Sequence, residues 1–216
     1  MTESGRRLVL VRHGQTDWNA EQRAQGHSDV DLNEVGIAQA KAAAPALAGL
    51  RPDLLWSSDL RRAAHTAEII GQACGLEPVL DARLREYALG ERTGLTMTEY
   101  RERFPEEYAR FRAGQYDVVP GGETTPTVVA RLGAAVRDAV ASVEPGQTAM
   151  VVSHGAGLKV TLLSLLELPA EAAARWRALD NCGWVVLEET HSGGPLRLVA
   201  YNLRASDADL GPGPTF

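Results

Sequence analysis

The chain has little of several things, and each shortage excludes something. Among 216 residues there are two cysteines, Cys74 and Cys182, far apart and in no metal-ligand spacing. They read as two reduced, buried thiols, not a disulfide framework or a metal site. There is no excess of positive charge: Lys and Arg number 22 against 28 Asp and Glu, a formal net charge of -6. Generic nucleic-acid binding favours a basic face and is disfavoured here, so any cationic site has to be a local pocket. No run approaches the roughly 20 apolar residues that a membrane helix needs. The opening MTESGRRLVL lacks the apolar stretch of a signal peptide, which makes a cytoplasmic location the expectation. No internal repeat, low-complexity block or linker divides the sequence. One domain over residues 1–216 is expected, with its core at about 7–202 and a loose tail from about 205. Monomer and homodimer are both open.

What is present is a repeated context. Leu8-Val9-Leu10-Val11 is short, apolar and half β-branched, which suits a strand buried on both faces, and it runs into Arg12-His13-Gly14. Thr148 to Val152 is a second such run and leads to Ser153-His154-Gly155; Asp53 to Trp56 leads to Ser57-Ser58 and then to Arg62 in the first turn of a helix. Ligands in open α/β sheets bind just beyond the carboxyl ends of the strands. Three such ends can therefore bring two histidines, two arginines and helix N-termini into one anion site. A histidine there can be a nucleophile if a cation holds an anionic substrate against it. Arg12 and the unencumbered backbone of Gly14 suit phosphate.

The rest of the chain alternates strand and helix, which predicts an α/β fold in three layers: a mostly parallel central sheet with helices on both faces. Asn33 caps a helix with apolar residues at Val35, Ala42, Ala46 and Leu50, and Pro45 is expected to kink or divide it. Asp59 to Ala73 reads as a helix in which Arg61 is solvated and Arg62 faces the site. A short strand is expected near Pro78 to Leu80. Thr96 to Tyr116 is irregularly helical and interleaves arginines with Tyr100, Phe104, Tyr108 and Phe111; together with its flanks, about 96–118, it reads either as a lid-like insertion or as a solvated helical pair. Val129, Leu132, Val136, Val140 and Val143 mark an amphipathic helix. A further helix carries Leu158, Leu162, Leu165 and Leu166. Gly183 to Leu187 and Leu196 to Tyr201 read as two late strands, antiparallel to each other.

Four motifs in order, VRHGQTDWN at 11–19, SSDLRRAAHTAE at 57–68, LREYALGERTG at 84–94 and VVSHGAGLK at 151–159, with PGGET at 120–124, resemble the histidine phosphatase (phosphoglycerate-mutase-like) superfamily. The resemblance covers Arg7 to about Asn202. It implies a metal-independent phosphomonoesterase that needs no cofactor and acts on a small phosphorylated metabolite. His13 would become phosphohistidine; Arg12, Arg62 and a protonated His154 would bind the phosphoryl oxygens, and Glu86 would be the proton donor. Gly14, Thr16, Asn19, Gln25 and Gly155 would line the substrate pocket. Glu123, also placed with the substrate-binding set, would orient an arginine or histidine of the pocket. His27, His65 and His191 have no catalytic part in this reading.

Two departures from the family pattern stand out. Gly90-Glu91-Arg92-Thr93-Gly94 carries an arginine in an element that usually holds an aromatic residue, so Arg92 either reaches an anionic substrate or points to water. Thr124 replaces the usual serine. A phosphoglycerate-mutase-type isomerase and a catalytically inactive binding member of the fold are the alternatives; the compact interval from Glu86 to His154 favours the hydrolase. RRLVLVRHGQTDWN, SSDLRRA and Asn181-Cys182-Gly183-Trp184 are similar to actinobacterial glucosyl-3-phosphoglycerate phosphatases, with α-ribazole phosphatases and broad-specificity enzymes as competing likenesses.

Overall fold

A computed structural model describes residues 4–112 and 117–205. Six strands form one sheet: β1 (Arg7–Arg12), β2 (Leu54–Ser57), β3 (Val79–Leu80), β4 (Thr148–Ser153), β5 (Trp184–Glu189) and β6 (Leu196–Leu203), in spatial order β3-β2-β4-β1-β5-β6. The first four of that order run parallel, and β5 and β6 are added antiparallel at one edge. The expected three-layer α/β architecture is what is found. Along β1, Leu8 and Leu10 face a core built with α6 (Thr125–Ala141) and α7 (Gly155–Leu165). Val9 and Val11 face a second core built with α2 (Glu34–Gly49) and α3 (Arg61–Cys74). All four side chains are fully buried, which is why the run is continuously apolar instead of alternating.

Register positions the site. Arg12 is paired with Ser153 across β1 and β4, and Ser57 with Val152 across β2 and β4. His13, Ser58 and His154 therefore leave the sheet side by side. β1 connects through α2 towards β2, whereas β4 connects through α7 towards β5. These connections diverge from two neighbouring strands, which is where open α/β sheets form their binding crevice.

Two expectations are corrected, and a third is refined. Pro45 does not divide its helix: α2 is continuous from Glu34 to Gly49. Pro45 and Lys41 are both exposed, so water can take the Lys41 carbonyl that lacks an amide partner. The buried stripe of α2 is Gly36, Ala40, Ala43, Ala44 and Leu47, whereas Val35 is 51% exposed; small residues carry the contact with α3, and their weak apolar signal hides the phase. The segment from Thr96 is two helices, α4 (Met97–Arg103) and α5 (Pro105–Arg112), separated by Phe104 because Pro105 disfavours helical backbone before it. Its outer face is solvated, with Arg101, Arg103, Arg110 and Arg112 exposed, while Tyr100 is fully buried, with Phe104, Tyr108 and Phe111 rings at 6.0, 5.9 and 6.1 Å. The part of that segment at 113–116, and the tail beyond Ala205, lie outside the described residues. A short helix, α1 (Asp17–Ala20), completes the set.

Candidate active site

A cavity of about 480 Å³ opens at the carboxyl ends of β1, β2 and β4, lined among others by Arg12, His13, Asn19, Gln25, Arg62 and Glu86. His13 and Arg62 line its floor and are 3% and 1% exposed; His154 does not line it and is fully buried behind His13.

His13 donates Nδ1–H to the carbonyl of its neighbour Gly14 at 2.7 Å. That bond fixes the tautomer and leaves Nε2 with a free lone pair. Burial, then Arg62 and Arg12, hold the ring well below the ordinary histidine pKa, so it is neutral at pH 7. The second ring lies 5.1 Å away, centroid to centroid. Leu60 donates its amide to Ser58 Oγ at 3.3 Å, and Ser58 Oγ lies 2.8 Å from His154 Nε2. His154 Nε2 and the Ser58 hydroxyl share that bond, and His154 Nδ1 is a buried atom without a partner among the described residues. The expectation of a protonated His154 is corrected: burial, with Arg62, His13 and Arg12 nearby, pushes its pKa well down, and the ring is neutral.

The two arginines are held by carbonyls, not carboxylates. Arg12 Nη1 donates to Leu179 O at 2.6 Å; Arg62 Nη1 and Nη2 donate to Ser28 O and Gly26 O at 2.7 and 2.8 Å. Nε of each is buried and unpartnered among the described residues. Desolvation lowers both pKa values, Arg62 to about 10, so both remain cations. Main-chain carbonyls orient a guanidinium without cancelling its charge, and an anion is the partner this arrangement suits.

Glu86 faces them from the start of α7. That helix has no side-chain cap of its own. The Glu86 carboxylate takes the role, accepting from Gly157 N at 2.7 Å, Ala156 N at 3.0 Å and Tyr87 N at 3.0 Å. A Cβ on Gly157 would stand 3.2 Å from Glu86 Oε1, and one on Gly155 3.1 Å from Arg12 Nε, so these glycines let the helix end approach both groups.

The remaining expected residues divide. Asn19, Gln25 and Gly155 line the cavity, and Gln25 Oε1 is buried and unpartnered among the described residues. Gly14 and Thr16 do not line it. Gly14 gives its amide to Thr66 Oγ1 at 3.0 Å and lies against the backbone of Gly36, where a Cβ would stand 2.5 Å from a carbonyl oxygen. Its missing side chain serves packing. Thr16 is a fully buried N-cap of α1, in a capping box with Asn19. Glu123 acts one step removed: it accepts from Arg131 at 2.6 and 2.8 Å, and Arg131 donates to the carbonyls of Arg83, Arg85 and Glu86. The arginine oriented by Glu123 thus holds the backbone under Glu86 and does not line the cavity.

Ser58, Arg131 and Asn181 were not expected. Asn181 Nδ2 donates to the His13 carbonyl at 3.0 Å. Each acts on a neighbour of the cavity; the strand-end position of Ser57-Ser58 and the arginine partner expected for Glu123 were the signals that pointed to the first two. Among the described residues no group of three or more His, Cys, Asp or Glu side chains is placed to hold a metal ion, and no helix is long and apolar enough to cross a membrane.

Residues 8–203 match the model of the histidine phosphatase superfamily, branch 1. The chain is 40% identical over 185 residues to glucosyl-3-phosphoglycerate phosphatase of Mycobacterium tuberculosis, covering 82% of each chain. It is 41% identical over 179 residues, 81% of each, to a probable phosphoglycerate mutase of Cronobacter sakazakii. A solved structure of mycobacterial glucosyl-3-phosphoglycerate phosphatase in complex with VO3 is similar at a TM-score of 0.84 and 37% identity, over 91% of this chain and 98% of that one. With two histidines and two arginines gathered at the strand ends opposite a carboxylate, the chain belongs to the histidine phosphatase superfamily and is a phosphatase of that family.

Proposed function

We propose that His13 is the nucleophile of a two-step phosphomonoester hydrolysis carried out within one domain. The observation that carries this reading is a neutral imidazole with Nδ1 tied to Gly14 O, beside two arginines that donate their hydrogen bonds to main-chain carbonyls. In the first step Nε2 forms a bond to phosphorus and the bond from phosphorus to the ester oxygen breaks. Arg12 and Arg62, with the His154 ring beside them, carry the charge spread over the three equatorial oxygens. The leaving oxygen takes a proton from the Glu86 carboxyl group. In the second step Glu86 takes a proton from water, the water oxygen bonds to phosphorus, and the bond from phosphorus to Nε2 breaks, which regenerates the neutral ring.

The cavity, at about 480 Å³, holds a phosphorylated metabolite, not orthophosphate alone. The mycobacterial relative's name supports glucosyl-3-phosphoglycerate as the substrate. The probable mutase at 41% identity supports a second reading, return of the phosphoryl group to another hydroxyl. Incubation with a panel of phosphomonoesters, following inorganic phosphate, decides between them. Hydrolysis predicts phosphate release from glucosyl-3-phosphoglycerate at the highest kcat/KM; isomerised phosphoglycerate without phosphate release would replace this reading with the mutase.

A further inference from the structure

The cavity does not end at the phosphate-binding floor. Arg92 lines its outer part with Leu89, Val119 and Phe111. Arg92 is placed by a turn at Gly90–Arg92 and a partly apolar frame: its guanidinium lies 5.2 Å from the Tyr100 ring centroid and 4.3 Å from that of Phe111, and Nη2 lies 3.4 Å from Met97 Sδ. None of these is a carboxylate. Flat aromatic faces hold a guanidinium in place while leaving its hydrogen-bond donors at the ring edge available. Nε of Arg92 is buried with no hydrogen-bond partner among the described residues. The same burial lowers its pKa, and Tyr100 and then Glu86 partly offset that shift, so Arg92 shares the electrostatic space of the Glu86 carboxylate. A desolvated, pre-oriented cation of this kind is costly to maintain unless an anion completes it. The phosphoryl group has its own cations in Arg12 and Arg62.

We infer that Arg92 is a specificity-determining residue: it binds a second anionic group of the substrate, a carboxylate, on the arm that extends away from the phosphoryl group. The inference rests on the phosphatase reading above and adds to it a requirement on the substrate. A phosphorylated hydroxy acid satisfies both ends of the cavity, whereas a phosphorylated alcohol leaves Arg92 unmatched.

The test uses two esters that differ in one group, 3-phosphoglycerate with a carboxylate and glycerol 3-phosphate with a hydroxymethyl. The wild-type protein should prefer the acid. In Arg92→Gln the ratio of the two kcat/KM values should fall about 10–100-fold, the span expected for one charge-assisted hydrogen bond, and mainly through KM of the acid. Arg92→Lys, which keeps the charge but not the flat face, should retain part of the preference. Circular dichroism on both variants checks the fold, and Arg92→Lys carries the test if Arg92→Gln does not fold. Equal kcat/KM for the two esters in the wild-type protein overturns the inference alone, as does an unchanged ratio in the variants. A wild-type protein that hydrolyses neither these esters nor an aryl phosphate overturns the phosphatase reading beneath it.

Discussion

The two ends of strand β1 carry the same residue type in opposite circumstances. At its start, Arg6 and Arg7 pair with Glu189 and Glu188 at 3.3 and 3.0 Å, and Arg197 joins Glu188 at 3.3 Å. At its finish, Arg12 has a main-chain carbonyl and an Nε without a partner among the described residues. The first turn of α3 repeats the contrast: Arg61 is exposed and paired with Asp29 and Asp31, while Arg62 next to it is buried and held by carbonyls. Exposed pairs such as those of Arg61 contribute little and are screened by water and salt. The pocket arginines are costly to desolvate, and in the proposed reaction their stabilisation comes when a dianion binds. A protein of net charge -6 thus keeps its reactive positive field at one end of one sheet.

The largest effect expected from breaking that contrast is at the nucleophile. His13→Ala should lower kcat by at least about 10⁴-fold on any phosphomonoester, because removing the covalent route leaves only binding and the cations. Steady-state assays with alkyl and aryl esters check this.

Glu86→Gln should cost roughly 10²–10⁴-fold on an alkyl ester, the usual span for a general acid. A nitrophenyl ester, whose leaving group departs unaided, should lose much less in the phosphorylating step. Burst kinetics with both esters read the difference, and an equal loss would make Glu86 the cap of α7 and nothing more.

Arg62→Ala should lower kcat about 10²–10³-fold, as for loss of one donor to a transition-state oxygen. Arg7→Ala, the matching change at the other end, should alter kcat/KM by less than about 2-fold and stability by less than about 1 kcal/mol. If the two variants lose activity alike, the contrast between the ends has no functional content.

A separate effect is expected in the pH dependence of stability. His13 and His154 have folded-state pKa values well below 6.5, so below pH 6.5 the unfolded chain takes up protons that the folded one refuses. Stability from these rings is therefore present above pH 6.5 and is lost as pH falls towards their folded pKa values. The slope should be about 1.4 kcal/mol per pH unit for each ring. Urea unfolding at pH 7, 6 and 5, compared with a His154→Asn variant of shallower slope, measures it.

The sheet and its site were legible because their signal is local. Four consecutive buried residues, Leu8 to Val11, announce a strand, and the residues after it fall at its carboxyl end whatever the rest of the chain does. The same logic located His154 and Arg62. Sequence reasoning failed where identity depends on a distant neighbour. Gly14 looked like a phosphate contact, but its close partner is Gly36, reached only through the packing of α2. Thr16 looked like a substrate ligand, and its hydroxyl is spent three residues along the chain on Asn19. The protonation of His154 depends on burial and on Arg62, which a motif does not record. Alanine-rich α2 hid its buried face because helix contacts made by small residues have little hydrophobic contrast.

Identification of the phosphorylated residue during turnover tests the central claim most directly. Wild-type protein and Glu86→Gln are mixed with an aryl phosphate, quenched in alkali to preserve phosphohistidine, digested and sequenced by mass spectrometry. The account predicts a phosphoryl group on His13, accumulating in Glu86→Gln because water activation is slowed, and none in His13→Ala. A phosphoryl group on His154, or turnover with no phosphorylated histidine in either protein, would contradict it.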